Sequence, residues 1–110
     1  MREMSDLHSI EEVDLFIDEH RLIFLYISRT NCSVCHALLP QVKEMMTKYP
    51  EIELAHVNAD YLEEIAGHLS IFTVPVLLLY VDGKETIREA RFVQIEQLDR
   101  KLNRIYEMNT

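Results

Sequence analysis

Residues 32–35, Cys32-Ser33-Val34-Cys35, are the stretch that decides how this chain is interpreted. They contain the only two cysteines of the sequence. An uninterrupted apolar run at residues 22–27 precedes them, and apolar residues at helical spacing follow them. Two cysteines separated by two residues, placed where a buried strand ends and a helix begins, are typical of a redox site.

The spacing of the two cysteines has a physical reason. In the first turn of a helix, residues three apart lie on one face, so the sulfurs of Cys32 and Cys35 can form a disulfide or lie together as a dithiol. A helix N-terminus also offers unpaired N–H groups and a partial positive charge, which stabilise a thiolate. We therefore predict Cys32 as the nucleophile and Cys35, one turn deeper, as the resolving thiol.

Size and charge limit the possible classes of protein. A chain of 110 residues is enough for one hydrophobic core, so we expect a single domain over residues 1–110. The net charge of -8 disfavours nucleic acid and anionic membrane surfaces as partners. No apolar stretch reaches the roughly 20 residues that cross a bilayer, and the N-terminus lacks the apolar centre of a signal peptide. We expect a cytoplasmic protein, in which cysteines are rarely structural.

Periodicity predicts the order of the secondary-structure elements. Ser9 and Glu12 fit a capping box at the start of the first helix, and Asp82-Gly83 is a hairpin signal. Residues 2–6 fit either an edge strand or a loose arm. The predicted elements are helix 10–20, strand 22–27, helix 32–48 with Pro40 inside it, strand 52–58, short helix 60–69, strand 76–81, strand 84–92 and a helix from residue 95 onward. This order predicts an α/β fold, a central mixed sheet of four to five strands with helices on both faces.

This order of elements, with the cysteine pair after the first long strand, resembles the thioredoxin superfamily. Pro40 stands five residues after Cys35, where the family kinks its active-site helix. The stretch Thr73-Val74-Pro75 is similar to the cis-proline loop of the family, and residues 81–84, Val-Asp-Gly-Lys, are similar to its last hairpin turn. The resemblance implies the thioredoxin fold and a thiol–disulfide oxidoreductase.

The resemblance also implies a substrate-binding surface. In the family the cis-proline loop faces the cysteines, so Pro75 is expected to shape the site and Val74 to contact substrate. The residues beside the cysteines complete the expected binding set: Asn31, Ser33 and Val34. The implied partners are a protein or small molecule that carries a disulfide, and an external reductase or thiol reductant. No bound cofactor and no metal are required.

The sequence departs from the family pattern near the cysteines. The family usually carries W-C-G-P-C, whereas residues 31–35 read N-C-S-V-C and the chain has no tryptophan. The buried carboxylate that the family places six residues before the first cysteine is Tyr26 here, so no aspartate assists proton transfer from Cys35. We expect Tyr26 to change the pKa values of the thiols instead. His56 lies near the position of the lysine that often partners that carboxylate.

His36 allows two interpretations. It is either a solvated or helix-packed histidine, or an imidazolium that lowers the pKa of the Cys32 or Cys35 thiol. The run C-x-x-C-H also matches a haem-attachment motif, but haem attachment normally needs an exported, mostly helical chain. A zinc site would need two more ligands from acidic residues or from histidines 36, 56 and 68.

Two other functions remain open beside an oxidoreductase. The chain could be a non-catalytic adaptor that keeps the fold, or a redox sensor whose disulfide alters a partner interface. The missing tryptophan and carboxylate, and a groove glycine replaced by Arg91 or Phe92, fit an adaptor. Replacing both cysteines with serine separates the functions, because an adaptor keeps its partner and an oxidoreductase loses its activity.

Overall fold

A computed structural model describes residues 2–110, which build one five-stranded sheet and four α-helices. The strands are β1 (Ser5–Asp6), β2 (Leu22–Ser28), β3 (Glu53–Asn58), β4 (Val76–Val81) and β5 (Lys84–Ala90). The helices are α1 (Ile10–Glu19), α2 (Ser33–Met45), α3 (Ile65–His68) and α4 (Ile95–Asn109), and a 3-10 turn, Met46–Lys48, follows α2.

The sheet has the strand order β1-β3-β2-β4-β5. Strands β1, β3 and β2 are mutually parallel, and β4 and β5 are antiparallel to their neighbours. Parallel neighbours need helical crossovers, whereas the β4–β5 pair needs only the hairpin turn at Asp82 and Gly83, both with positive φ. The predicted mixed sheet and its hairpin are therefore confirmed.

Strand β2 lies at the centre of the sheet, and all seven of its residues are buried. Successive side chains of a strand point to opposite faces, so β2 contributes to two cores. One core contains residues of α2 and α4, and the other contains residues of α1 and α3. A strand covered on both faces has no polar side, which explains the continuous apolar run and confirms that helices cover both faces.

The start of α1 also follows the prediction, with one change. The Ser9 hydroxyl accepts the backbone N–H of Glu12 at 3.1 Å. The Glu12 carboxylate accepts the N–H of His8 at 3.2 Å, one residue before the cap, where a standard capping box would use the N–H of Ser9. Both bonds satisfy N–H groups at the entry to the helix.

Three predicted boundaries differ from the structure by more than one residue. Helix α3 has only four residues, because turns occupy most of residues 59–64 and the Asp60 N–H bonds the Asn58 side chain at 2.9 Å. Strand β5 ends at Ala90, since Arg91 adopts a φ of 66° and turns the chain away. In α2, regular α-helix ends at Met45.

The N-terminal segment contributes a short edge strand. Of residues 1–6, Ser5 and Asp6 form β1 and pair with β3, and Met1 lies outside the described residues. Among the described helices, none combines the length and apolar character that crossing a membrane requires.

Candidate active site

The cysteines lie where β2 ends and α2 begins. Cys32 is the N-cap of α2, and its Sγ accepts the backbone N–H of Cys35 at 3.1 Å. A disulfide joins the two residues, whose Cα atoms are 5.2 Å apart. Cys32 is partly exposed, whereas Cys35 is only 1% exposed. An incoming substrate can therefore reach Cys32 and not Cys35.

Asp60 fixes the loop that delivers Cys32. Its carboxylate accepts the Thr30 backbone N–H at 2.7 Å and pairs with the Arg29 guanidinium at 2.8 Å. The bond from the Thr30 N–H, followed by that from Arg29, lowers the pKa of the Asp60 carboxyl below its ordinary value. The Asn58 side-chain amide adds a bond to the Thr30 hydroxyl at 3.1 Å. The β3 end thus holds the loop in place from the neighbouring strand.

Tyr26 lies below the first turn of α2 and is fully buried. Its hydroxyl donates a hydrogen bond to the Cys35 carbonyl at 2.6 Å. Burial raises the pKa of Tyr26 above its ordinary value, so the phenol stays protonated and remains a donor. Sequence reasoning identified the lost carboxylate at this position but missed this contact. A buried tyrosine hydroxyl usually needs a hydrogen-bond partner, and this requirement could have predicted the contact.

His36 is exposed and lies in the first turn of α2. Its Nε2 is 2.7 Å from the Thr30 carbonyl oxygen, so Nε2–H donates to the loop that precedes Cys32. This bond connects His36 to the backbone of the site. The predicted lowering of a thiol pKa by its ring stays a prediction.

The loop before β4 lies at the same end of the sheet's strands as the cysteines. Ile27, near the end of β2, pairs with Val76, the first residue of β4, so Pro75 comes next to the end of β2. The Val74–Pro75 bond is cis, Val74 is half-buried and Pro75 is buried. The predicted binding residues beside the cysteines are all exposed: Asn31, Ser33 and Val34.

The loops before β4 and after β5 each carry an exposed phenylalanine. The residue after β5, Arg91, donates its N–H to the Pro75 carbonyl at 2.9 Å, which joins the two loops. Arg91 has the left-handed backbone that favours glycine, with a φ of 66°. Phe72 and Phe92 are 93% and 83% exposed. Among residues 2–110 no cluster of three histidine, cysteine or acidic side chains could hold a metal ion.

A central mixed sheet, a cysteine pair at the start of a helix and a cis-proline loop beside it define the class of thioredoxin-fold disulfide-exchange proteins. The family model for Thioredoxin matches residues 8–104, and the chain belongs to the thioredoxin family. Its activity is that of a thiol–disulfide oxidoreductase.

Individual relatives agree with this assignment. The chain is 53% identical over 108 residues to the thioredoxin-like protein YdfQ of Bacillus subtilis, covering 98% of this chain and 96% of the relative. Among solved structures, thioredoxin from Fasciola hepatica has 28% identity and a TM-score of 0.82, covering 92% of this chain and 98% of that one. Thioredoxin from Trypanosoma brucei brucei matches the fold with a TM-score of 0.86 at 20% identity, covering 96% and 92%.

Proposed function

We propose that Cys32 is the nucleophile and Cys35 the resolving thiol of disulfide reduction. The difference in exposure between the two cysteines carries this proposal, because only Cys32 is open to a substrate. As a thiolate, Cys32 attacks one sulfur of the substrate disulfide, forms a mixed disulfide and releases the other sulfur as a thiol. Cys35 then attacks Cys32, forms the Cys32–Cys35 disulfide and releases the second substrate sulfur.

The start of α2 supports this division of roles. The N–H of Cys35 points at the Cys32 sulfur at 3.1 Å, and a hydrogen bond to a thiolate favours its charged form. The positive end of the α2 dipole acts in the same direction. The roles of His36 and Tyr26 in changing the thiol pKa values belong to the same proposal.

The substrate is proposed to be a polypeptide that carries a disulfide. The exposed apolar side chains Val34, Phe72 and Phe92 favour an extended apolar segment over a small polar molecule. Val74 and Pro75 would line the same surface, together with Asn31 and Ser33. An external reductase or thiol reductant restores the dithiol. We further propose that residues 1–110 act as one domain, and that it works in the reducing cytoplasm, where a recycled dithiol is maintained.

Trapping of the mixed disulfide tests the assignment of roles. In Cys35→Ser, Cys32 still attacks a disulfide-bonded peptide, but no thiol resolves the adduct, so a covalent complex should accumulate. The matched variant Cys32→Ser should form no such complex, because Cys35 is buried. Mass spectrometry distinguishes the two outcomes. A stable adduct in Cys32→Ser and none in Cys35→Ser would reverse the assignment.

A further inference from the structure

An arginine on the edge strand β5 holds the start of the loop before β4. The guanidinium of Arg88 donates to two backbone carbonyls, that of Leu69 at 2.8 Å and that of Ser70 at 3.1 Å. Leu69 is the C-cap of α3, where the last carbonyls of a helix lack partners within the helix. The next residue, Ile71, is buried, and its N–H donates to the Ala66 carbonyl at 2.8 Å. Arg88 therefore fixes the point at which the chain leaves α3.

A bulge in β5 brings a carboxylate to the same arginine. On a regular strand, side chains three residues apart point to opposite faces. Here Leu79 pairs with Ile87 and Tyr80 pairs with Glu85, so β5 carries one extra residue at this point. The bulge places Glu85 and Arg88 on one face of the sheet, the face of the core that contains Tyr80 and residues of α3.

Glu85 completes the hydrogen bonds of the guanidinium. Its two carboxylate oxygens accept from Nε and Nη2 of Arg88, each at 2.8 Å. Such a two-pronged pair fixes the plane of the guanidinium as well as its charge. The remaining donors are then directed at the two carbonyls after α3. A flexible surface arginine would lose more conformational freedom on making these bonds than one already held by a carboxylate.

Strand β5 thus holds the loop of residues 69–75 at both ends. Arg88 bonds its first two carbonyls, and the N–H of Arg91, after β5, donates to the carbonyl of Pro75 at 2.9 Å. Between these ends lie Phe72, which is 93% exposed, and the half-buried Val74. Both belong to the surface on which an extended apolar substrate segment is proposed to bind.

We propose that Arg88, held by Glu85, is a positioning residue that determines the affinity for polypeptide substrates. This inference rests on the proposed function and adds to it a determinant of substrate choice. A loop that is fixed before binding does not have to be ordered by the substrate, so more of the contact energy appears as affinity. The hydrogen bonds of the Arg88 guanidinium go to Glu85 and to the start of the loop, so its effect should fall on peptide binding and leave the reactivity of Cys32 unchanged.

Two substrates separate peptide binding from cysteine chemistry. One is a small aromatic disulfide, which needs access to Cys32 alone. The other is a peptide with apolar residues beside a disulfide-bonded cysteine. Arg88→Met keeps the unbranched stem and removes every donor. We expect its KM for the peptide to rise at least about threefold at unchanged kcat, the rise that follows if the loop keeps its position in no more than about a third of the molecules. Both constants for the small disulfide should stay unchanged.

Lys101→Met is the matched control. It introduces the same residue and removes another ion pair of β5, the 2.6 Å contact between Lys101 and Glu89, which joins β5 to α4. Its KM for the peptide should equal that of the unaltered protein. An equal rise in both variants would refute the positioning role, because a general weakening of β5 would then account for it.

Arg88→Lys decides the question if Arg88→Met does not fold. Lysine keeps the charge and the stem, but its ammonium has three donors on one atom and cannot reproduce the planar fork that bonds Glu85 and both carbonyls. The KM for the peptide should therefore still rise. An unchanged KM in Arg88→Lys would overturn the proposal.

The remaining outcomes distinguish this inference from the proposed function. If the unaltered protein reduces neither disulfide, the proposed function fails, and with it the role of Arg88 in substrate binding. If it reduces both and Arg88→Met keeps the KM for the peptide, or lowers kcat for the small disulfide, only the positioning role is refuted. Amide hydrogen exchange at Ile71 checks the position of the loop without any substrate: exchange should accelerate in Arg88→Met, and unchanged exchange would show that Arg88 does not hold the loop.

Discussion

Replacing Tyr26 with phenylalanine tests the contact that anchors the first turn of α2. The change removes one oxygen and leaves the ring in place, so the packing of the buried core is kept. The lost bond is the 2.6 Å contact to the Cys35 carbonyl. A net hydrogen bond contributes about 1 kcal/mol and a buried group left short of a partner adds to that loss, so we expect about 1–2 kcal/mol less stability.

Urea unfolding of the oxidised protein measures this loss. With a slope of about 2 kcal/mol per molar urea, the middle of the usual range, the midpoint should fall by about 0.5–1 M at unchanged slope. Amide hydrogen exchange in the first turn of α2 should accelerate as well, since the anchor of the turn is gone.

Tyr49→Phe is the matched control for this experiment. Tyr49 is 2% exposed, and its hydroxyl donates to the Asp99 carboxylate at 2.5 Å, on α4. This variant should lose comparable stability without changing exchange at the start of α2. An unchanged urea midpoint in Tyr26→Phe, beside a lowered one in Tyr49→Phe, would refute the idea that the phenol anchors Cys35.

Two further predictions concern the loops around the site. Since the Thr30 N–H and Arg29 hold the pKa of Asp60 below its ordinary value, this carboxylate stabilises the fold fully above about pH 4 and loses that effect as pH falls through its folded-state pKa. The urea midpoint should therefore decrease less steeply with falling pH in Asp60→Asn than in the unaltered protein. An equal pH dependence of the two midpoints would contradict this. Arg91→Gly should raise the free energy of unfolding by up to about 1 kcal/mol, and with it the urea midpoint, because glycine accepts the φ of 66° without steric conflict. A lower midpoint would show that the Arg91 side chain stabilises the loop.

Local sequence rules predicted the elements that rest on local interactions. The apolar run of β2, the Ser9 cap, the Asp82-Gly83 turn and the cysteines at a helix start each follow from neighbours within a few residues. The prediction for α3, which was too long, shows where such rules fail. Apolar spacing favoured a helix from residue 60, but the Asp60 carboxylate bonds Thr30, some 30 positions away.

The sequence alone therefore determined the order of the elements, the mixed sheet and the position of the reactive pair, because periodicity, capping and turn chemistry act over a few residues. Only the tertiary structure decided which side chains meet around that pair. The bond from Tyr26 to Cys35 depends on how α2 packs against β2. The chain of bonds from Ser28 through His56 to Asp6 depends on the order and register of β1, β3 and β2. The order of these strands arises from the packing of the whole core, whereas local alternation specifies only which face of a strand is buried.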